Sequence, residues 1–227
     1  MRLLLIASAP MEFRGILARA EEARPARLPV DWARTIRLGG HDILAVANGA
    51  GARRAAVAVD LFLPDAVIST GFCGALDPDL ALADVVVATS VVSADRRYEA
   101  LPVSSAAAYH SGVVCSIDRV AQTAEAKRRL RAGGAMVVEM EAAGVAARAQ
   151  ARGLPFYCVR VVSDLAGETM ANDFNGALRA DGHFDTMVIL RDTLRRPLAR
   201  LPELCRLRQR SVWAARALGV FFANCRF

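Results

Sequence analysis

The sequence lacks any long uncharged apolar run, although 54 % of its 227 residues are hydrophobic. A membrane-spanning helix needs about 20 consecutive apolar residues, so we expect no transmembrane segment. The apolar stretch "RLLLIAS" (2–8) is followed by Glu12, without the small-residue cleavage site of a signal peptide. We therefore interpret it as the first strand of a cytoplasmic protein.

Signatures of metal sites and disulfides are also missing. The five cysteines form neither a CxxC pair nor a Cys/His pattern, and the chain has only three histidines. Such spacings mark structural zinc sites and disulfide frameworks. We therefore expect reduced thiols, no metal site and no cofactor.

Lysine is nearly absent, because 28 of the 29 basic residues are arginine and Lys127 is the single exception. We interpret this bias as a reflection of codon composition. Residues 191–227 carry nine arginines against Asp192 and Glu203. This basic segment suits a solvated helix face or an anionic membrane surface. No nucleic-acid-binding motif accompanies it, so we expect no nucleic-acid partner.

Strand and helix patterns alternate along the chain. Strands are predicted at 2–8, 30–38, 41–49, 65–71, 84–94 and 112–117, and helices at 10–23, 52–62 and 122–132. A strand-helix-strand unit then precedes a polar loop (165–182) and two C-terminal helices. This order predicts a three-layer α/β/α sandwich with a mixed, largely parallel central sheet. We expect one domain over residues 1–227, with a basic helical tail from about residue 197.

Carboxylates follow several of these apolar strands. Glu139 and Glu141 lie at the end of one strand, Asp164 ends another, and Glu12 follows the first. Ligands of open α/β sheets bind at the carboxyl ends of strands, so we expect these groups to converge with a glycine-flanked turn at 71–74. Glu141 alone is equally compatible with a helix N-terminus. An unpaired Glu139 within an apolar strand would be costly.

Three segments together resemble one known family. They are "LLLIASAPMEF", "VISTGFCGALDPDLALADVVVA" and "VVEMEAAGVAARAQARGLPFYCVRVVSD". The order and content of these motifs resemble the purine nucleoside phosphorylase superfamily, in its branch of methylthioadenosine/S-adenosylhomocysteine nucleosidases. The likeness covers about residues 2–167. It implies a nucleoside phosphorylase-like fold, a homodimer, and an N-ribosyl hydrolase acting on a purine nucleoside or a 5′-modified adenosine.

The resemblance implies roles for residues at the strand ends. Glu141 matches the glutamate that accepts hydrogen bonds from the 2′- and 3′-hydroxyls of ribose, and Met140 matches a methionine that packs on the sugar. Met140 is equally compatible with core packing. Asp164 matches the acid that gives a proton to purine N7. Ser163 and Arg160 match supporting positions, with Arg160 expected to pair with a carboxylate.

The turn at Glu12 distinguishes two reactions. The resemblance implies that nucleosidases carry a glutamate here to activate water, whereas phosphorylases carry a phosphate-binding arginine. Phe72 replaces a serine that phosphorylases use for phosphate, and we count it as a substrate-binding position. Arg14 and Arg53 keep phosphate-dependent cleavage open as an alternative.

The base site departs from the nucleosidase pattern. Val120 stands where the resemblance places an aromatic residue that stacks on the base, and we include the adjacent Ala121 among the binding residues, together with Glu139. Stacking is expected from Phe72 or Phe174 instead. The 165–182 loop suits either a mobile lid or a surface connection.

Other functions stay open at this stage. A hopanoid-associated enzyme of the same family would act on adenosine attached to a lipid, and the basic, apolar tail would suit peripheral contact with a membrane. The tail equally suits a helix docked on the core through Trp213, Val220 and Phe221. A catalytically silent nucleoside-binding protein is the non-enzymatic alternative.

Overall fold

The computed structural model describes residues 1–94 and 96–227. Its strands are β1 (Arg2–Ala7), β2 (Glu22–Pro25), β3 (Trp32–Leu38), β4 (His41–Ala47), β5 (Ala66–Ala75), β6 (Val85–Ser93), β7 (Arg96–Glu99), β8 (Ser104–Ser105), β9 (His110–Ser116), β10 (Val137–Glu139), β11 (Phe156–Asp164) and β12 (Cys225–Arg226). Its helices are α1 (Arg14–Leu17), α2 (Ala52–Val59), α3 (Ala124–Arg131), α4 (Ala142–Ala151), α5 (Phe174–Ala177), α6 (Thr186–Arg195) and α7 (Pro197–Ala223), with a 3-10 turn at Pro10–Phe13.

The central sheet is mixed, as predicted. Its strand order is β10-β9-β6-β11-β5-β1-β4-β3-β2, and β7 pairs with β6. Strands β1, β5 and β11 run parallel, so their carboxyl ends share one edge. Strand β10 also pairs with β5, which closes β5, β11, β6, β9 and β10 into a ring. That ring brings Glu139 to the same region as the end of β11.

Helices cover both faces of the sheet, and the predicted α/β/α layering is confirmed. Apolar residues of α2 and α4 pack with one face of the sheet, around side chains such as Ile6 and Val67. Residues of α1 and α7 pack on the other face with Leu5 and Ile68. Successive side chains of β1 and β5 therefore join opposite faces of the sheet and contribute to two cores.

Two predicted elements were wrong in detail. The helix predicted at 10–23 is a 3-10 turn followed by α1, and it ends at Leu17. Residues Glu22–Pro25 instead form β2, because they pair with β3 and extend its hairpin. The glycine-flanked turn predicted at 71–74 lies inside β5, which pairs with β11 through Gly74. Tertiary pairing outweighs the local helix and turn preferences in both places.

The second half of α7 is docked on the sheet, whereas its first half is largely exposed. The buried apolar residues of the second half are Ala214, Ala215, Leu218, Phe221 and Phe222. The expected burial of Trp213 and Val220 was wrong, because both are partly exposed. The division into one domain with a tail from about residue 197 stays a prediction. Among the described residues, no helix has the length and apolar character needed to span a membrane.

Candidate active site

A cavity of about 420 Å³ lies at the carboxyl ends of β1, β5 and β11. This volume falls in the usual range for small-molecule sites. Eight of the nine predicted site residues line it: Glu12, Phe72, Ala121, Glu139, Met140, Glu141, Ser163 and Asp164. The ninth, Arg160, is fully buried behind the wall. Carboxylates that are distant in sequence therefore line one cavity.

Glu12 is held by uncharged donors. Its Oε2 accepts hydrogen bonds from the backbone N–H of Ser8 (2.9 Å) and Ala9 (2.8 Å) and from the Ser8 hydroxyl (2.9 Å). Its Oε1 accepts from the N–H of Phe72 at 2.7 Å. Glu12 thus closes the first turn after β1 and bridges it to β5. These dipoles stabilise a buried carboxylate and fix its orientation.

Two glycines of β5 make room for the catalytic candidates. A Cβ on Gly71 would lie 2.3 Å from Glu12 Oε1, and Gly71 has a φ of +126°. A Cβ on Gly74 would lie 2.9 Å from Asp164 Oδ1. Because real Cβ atoms do not approach that closely, glycine at these positions permits both carboxylates to rest on the strand.

Glu141 and Glu139 differ despite being two residues apart. Glu139 accepts from the N–H groups of Glu141 (2.8 Å) and Ala142 (2.8 Å), so Glu139 caps the start of α4. Glu141 makes no cap; its Oε1 accepts from the Gly51 N–H at 3.0 Å. Burial, and secondly the Glu139 carboxylate, raise the pKa of Glu141, while Arg160 opposes this rise.

Arg160 joins the carboxylates from behind. Its Nη2 pairs with Glu139 Oε2, and its Nη1 lies 3.6 Å from Glu141 Oε2. The same guanidinium donates to the Thr70 carbonyl at 2.9 Å and to the Ser69 hydroxyl at 2.6 Å. The guanidinium charge offsets the repulsion of two buried carboxylates, which would otherwise be costly.

Asp164 is held by one hydroxyl and one ammonium. Its Oδ2 lies 3.1 Å from the Ser163 hydroxyl, which also lies 3.2 Å from the Cys73 carbonyl. Its Oδ1 contacts the Lys127 ammonium. Burial raises the pKa of Asp164, whereas Lys127 acts in the opposite direction. The site therefore favours a protonated acid more than water does.

Lys127 is the site-adjacent residue that the sequence interpretation missed. Its side chain is 1 % exposed, although it lies on α3 among arginines. Its ammonium also donates to the Leu165 carbonyl at 2.7 Å. The available signal was that the only lysine of the chain stands in an arginine-rich helix. That signal was ascribed to codon composition.

The remaining wall of the cavity is apolar. Val120 lines it at the place where the resemblance calls for an aromatic ring, and Phe174 and Phe72 lie on the same wall. Asn175 fixes α5 to this wall by accepting from the Val120 N–H (2.8 Å) and donating to the Val120 carbonyl (2.9 Å). The 165–182 segment therefore covers part of the cavity, and its predicted mobility stays a prediction.

The arginines proposed for phosphate lie elsewhere. Arg14 is exposed, and Arg53 lines a separate cleft of about 1040 Å³ that shares Ala50 and Met140 with the cavity. Within the described part of the chain, Arg119 is the only arginine on the cavity wall. Its side chain is mostly exposed and pairs with Asp118.

Comparisons with known proteins identify the family of the chain. A family model described as the phosphorylase superfamily matches residues 5–105 and 99–183. A 5′-methylthioadenosine/S-adenosylhomocysteine nucleosidase of Tolumonas auensis is 29 % identical over 171 residues, covering 60 % of this chain and 74 % of that protein. A relative of the same name from Staphylococcus saprophyticus is 29 % identical over 163 residues, covering 57 % and 72 %.

The fold is also found among solved structures. The S. pneumoniae 5′-methylthioadenosine/S-adenosylhomocysteine nucleosidase, solved with the transition-state inhibitor MT-ImmA, aligns with 99 % of both chains at a TM-score of 0.71 and 18 % identity. This likeness confirms the nucleoside phosphorylase-like fold. The family resemblance predicted from three motifs is confirmed as well, and the chain belongs to the phosphorylase superfamily.

Proposed function

We propose that this chain is an N-ribosyl hydrolase that cleaves the glycosidic bond of a purine nucleoside or a 5′-modified adenosine. The observation that carries the proposal is the convergence of Glu12, Glu141 and Asp164 on one cavity of nucleoside size. The names of the relatives support the same reaction and the same substrate class. Methylthioadenosine and S-adenosylhomocysteine are therefore the first substrates to test.

Glu141 binds the ribose in this proposal. A carboxylate can accept the two neighbouring hydroxyls side by side, one on each oxygen. Glu141 Oε1 already accepts the Gly51 N–H at 3.0 Å, which fixes the carboxylate without using all of its acceptor capacity. Met140 lies beside it on the cavity wall and packs on the sugar. Glu139 and Arg160 hold this pair of residues in place.

Asp164 protonates the leaving base. Cleavage of the bond between C1′ and the purine leaves an electron pair on the base, and a proton delivered to N7 stabilises it. Burial, which raises the pKa of Asp164, keeps the proton available. Ser163 orients the carboxyl group, and Phe72, Val120, Ala121 and Phe174 form the apolar surroundings of the base.

Glu12 activates water. Its Oε1 has one protein donor, the N–H of Phe72, and so keeps acceptor capacity for a water molecule. Water attacks C1′ and gives a proton to Glu12, while the electron pair of the glycosidic bond passes to the base. The carboxylate also stabilises positive charge developing on the sugar.

Phosphate-dependent cleavage is the alternative, and the wall of the cavity disfavours it. Glu12 would repel a phosphate dianion, and Phe72 provides no side-chain donor. Arg14 and Arg53 lie outside the cavity wall. A protein that only binds nucleosides would need neither a buried general acid nor a buried general base. The silent-protein alternative therefore explains the presence of Glu12 and Asp164 less well.

Product analysis tests the proposal. Adenosine, inosine, methylthioadenosine and S-adenosylhomocysteine are incubated with the protein, with and without phosphate. The proposal expects free base and free sugar at equal rates in both conditions. Phosphate-dependent formation of a sugar 1-phosphate would support the phosphorylase alternative, and binding without any turnover would support the silent protein.

We also propose a cytoplasmic homodimer, following the family resemblance. The exposed apolar residues available for an interface include Val57 and Leu63, which lie at the end of α2 and just after it. Burial of such residues in a two-fold interface would remove apolar surface from water. Light scattering at micromolar concentration should give twice the 24.3 kDa mass of one chain. A single 24.3 kDa species would contradict the dimer.

Peripheral membrane contact is proposed for α6 and the start of α7. Large apolar side chains are exposed there, with Met187 at 71 % and Leu198 at 94 %. Arginines such as Arg191 and Arg196 stand beside them. Ile189 and Leu207, on the same helices, line the cavity, so α6 and α7 contribute both to the site and to the exposed apolar surface proposed to meet the membrane.

Vesicle sedimentation tests this contact. Binding is expected to vesicles that contain phosphatidylserine and to weaken in pure phosphatidylcholine, because arginines add an electrostatic attraction. The variant Leu194→Ser/Leu198→Ser should bind less. Equal recovery of wild type and variant in the supernatant with both vesicles would contradict the proposal.

A further inference from the structure

The buried ammonium of Lys127 stands directly behind the proposed acid. It contacts Asp164 Oδ1 and donates to the Leu165 carbonyl at 2.7 Å, and no other side chain of α3 is buried in this way. A buried lysine usually requires a partner, because desolvation of its charge is unfavourable. Here that partner is a residue that the proposed reaction uses.

Hydrogen bonding distinguishes the two oxygens of Asp164. Oδ1 faces Lys127, while Oδ2 faces the Ser163 hydroxyl. A serine hydroxyl has a single proton, and Ser163 also lies 3.2 Å from the Cys73 carbonyl. When Ser163 donates to that carbonyl, it can accept a proton from Oδ2. A transferable proton therefore belongs on Oδ2, with Lys127 holding the opposite oxygen.

We propose that Lys127 is a positioning residue for the leaving-group acid: it fixes Asp164 through Oδ1 and stabilises the carboxylate that forms when Oδ2 releases its proton. This inference rests on the proposed function. The proton passes from Asp164 Oδ2 to purine N7, the C1′–N9 electron pair passes to the base, and water supplies the new bond at C1′. Lys127 neither gives nor takes a proton in this step. Glu12 receives the proton of the water, and solvent returns a proton to Asp164 after the products leave.

Lys127 is one of several charged or titratable groups around Asp164. Glu168 lies in the loop after β11 and pairs with Arg210 of α7 at 2.8 Å, and Cys73 faces Asp164 from β5. Glu168 and Arg210 carry opposite charges in direct contact. The ammonium of Lys127 is therefore the cation that contacts the acid itself.

The test compares Lys127→Met with wild type and with Arg128→Met, a matched control on the exposed face of α3. Lys127→Met should lower kcat by about 10–100-fold, less than the roughly 10²–10⁴-fold expected for loss of the acid itself. Binding of a 7-deaza-adenosine analogue should change little, because it lacks the N7 that takes the proton. Arg128→Met should match wild type in both measurements.

The dependence of kcat on pH separates the proposed role of Lys127 from a purely structural one, because a structural role would leave the pH limits of kcat unchanged. Removal of the ammonium raises the pKa of Asp164, so the alkaline limb of kcat should shift to higher pH in Lys127→Met. An unmoved limb, or an unchanged kcat, would overturn the inference. Absence of base release by wild type would instead overturn the proposed function, so the two failures are distinguishable.

A double variant keeps the inference testable when Lys127→Met does not fold. Lys127→Met/Asp164→Asn removes both buried charges and leaves no unpaired ion. Its turnover should equal that of Asp164→Asn, because Lys127 acts through Asp164. A further loss of about tenfold or more in the double variant would show an independent role and overturn the proposal.

Discussion

Glu12 and Asp164 line the same cavity but are held by different kinds of group. Glu12 receives four hydrogen bonds from backbone N–H groups and a serine hydroxyl. Asp164 contacts a buried ammonium and one hydroxyl. The fixed dipoles hold the Glu12 carboxylate in one orientation and leave its remaining lone pairs facing the cavity. Burial favours the protonated form of Asp164, whereas the Lys127 ammonium stabilises the carboxylate that forms when Asp164 gives up its proton.

Strand β5 supports both carboxylates. Gly71 lies against Glu12 and Gly74 lies against Asp164, three residues apart on the same strand. Of these two glycines, Gly71 alone combines the close approach with a positive φ, so a side chain there would be strained in its backbone as well as crowded. One strand thereby sets the separation of the proposed base and acid.

Substitutions of Glu12 and of Asp164 should have the largest effects on turnover. Both oxygens of Glu12 accept hydrogen bonds from N–H groups. In Glu12→Gln the NH₂ group replaces one of these oxygens, so at least one N–H donor loses its acceptor. Turnover should fall by about 10²–10⁴ because the amide is not a base. The free energy of unfolding should fall by about 1–3 kcal/mol for each donor left unpaired. Glu125→Gln, on an exposed site of α3, is the control. An active Gln variant with only reduced stability would restrict Glu12 to capping the first turn.

Asp164→Asn should also lose about 10²–10⁴ in turnover, since the amide gives no proton to N7. It leaves the Lys127 ammonium buried beside a neutral amide, which lowers the free energy of unfolding by about 3–5 kcal/mol at the pH values where Asp164 is ionised in wild type. Urea unfolding should show Lys127→Met/Asp164→Asn to be more stable than Asp164→Asn. Near-normal base release by the single variant would remove Asp164 from the mechanism.

Above about pH 8, where Glu141 is ionised, Glu141→Gln should weaken riboside binding by about 10–100-fold, because the charge-assisted hydrogen bonds to the sugar hydroxyls are lost. Binding of 2′-deoxyribosides should change much less. Calorimetric titration of matched riboside and 2′-deoxyriboside pairs measures this. An unaltered preference between the two sugars would contradict the role of Glu141.

Gly71→Ala and Gly74→Ala separate the two halves of the site. Gly71→Ala should lower stability by about 1–3 kcal/mol and displace Glu12, because the new Cβ meets Oε1 at an unfavourable φ. Gly74→Ala, with an ordinary φ, should be milder and act on Asp164. Chemical denaturation and turnover of both variants test this order, and a larger loss in Gly74→Ala would reverse the argument.

The smallest effect concerns pH and stability. Burial and Glu139 raise the pKa of Glu141 above its ordinary value of 4.5. A raised pKa gives stability that is present below about pH 4.5 and is lost as pH rises through the folded-state pKa. Glu141→Gln lacks this loss, so its stability relative to wild type should increase from about pH 4.5 to about pH 8. A constant difference across that range would contradict the raised pKa.

The fold and most of the cavity were predictable because their signals are local. Apolar strands ending in Glu139 and Asp164 mark the site edge, and Gly39-Gly40 between two strands marks the hairpin. Strand pairing depends on residues that are distant in the sequence. For this reason the local helix pattern does not predict β2, and the glycines of β5 locally resemble a turn.

The partners of the site residues could not be derived from the sequence. Gly51 donates to Glu141 across 90 residues, and Lys127 reaches Asp164 across 37 residues. Neither contact has a spacing rule, because each depends on how α2 and α3 pack on the sheet. The composition did offer a hint at Lys127. It is the single lysine among 29 basic residues, and the arginines around it on α3 suggested an exposed helix face on which arginine would serve equally well.

The most direct test of the account is turnover in ¹⁸O-labelled water without phosphate. If Glu12 activates water at C1′, the released sugar carries ¹⁸O at C1 in every turnover, and added phosphate changes neither the rate nor the labelling. Cleavage that occurs only with phosphate, and yields an unlabelled sugar 1-phosphate, would contradict the hydrolase account.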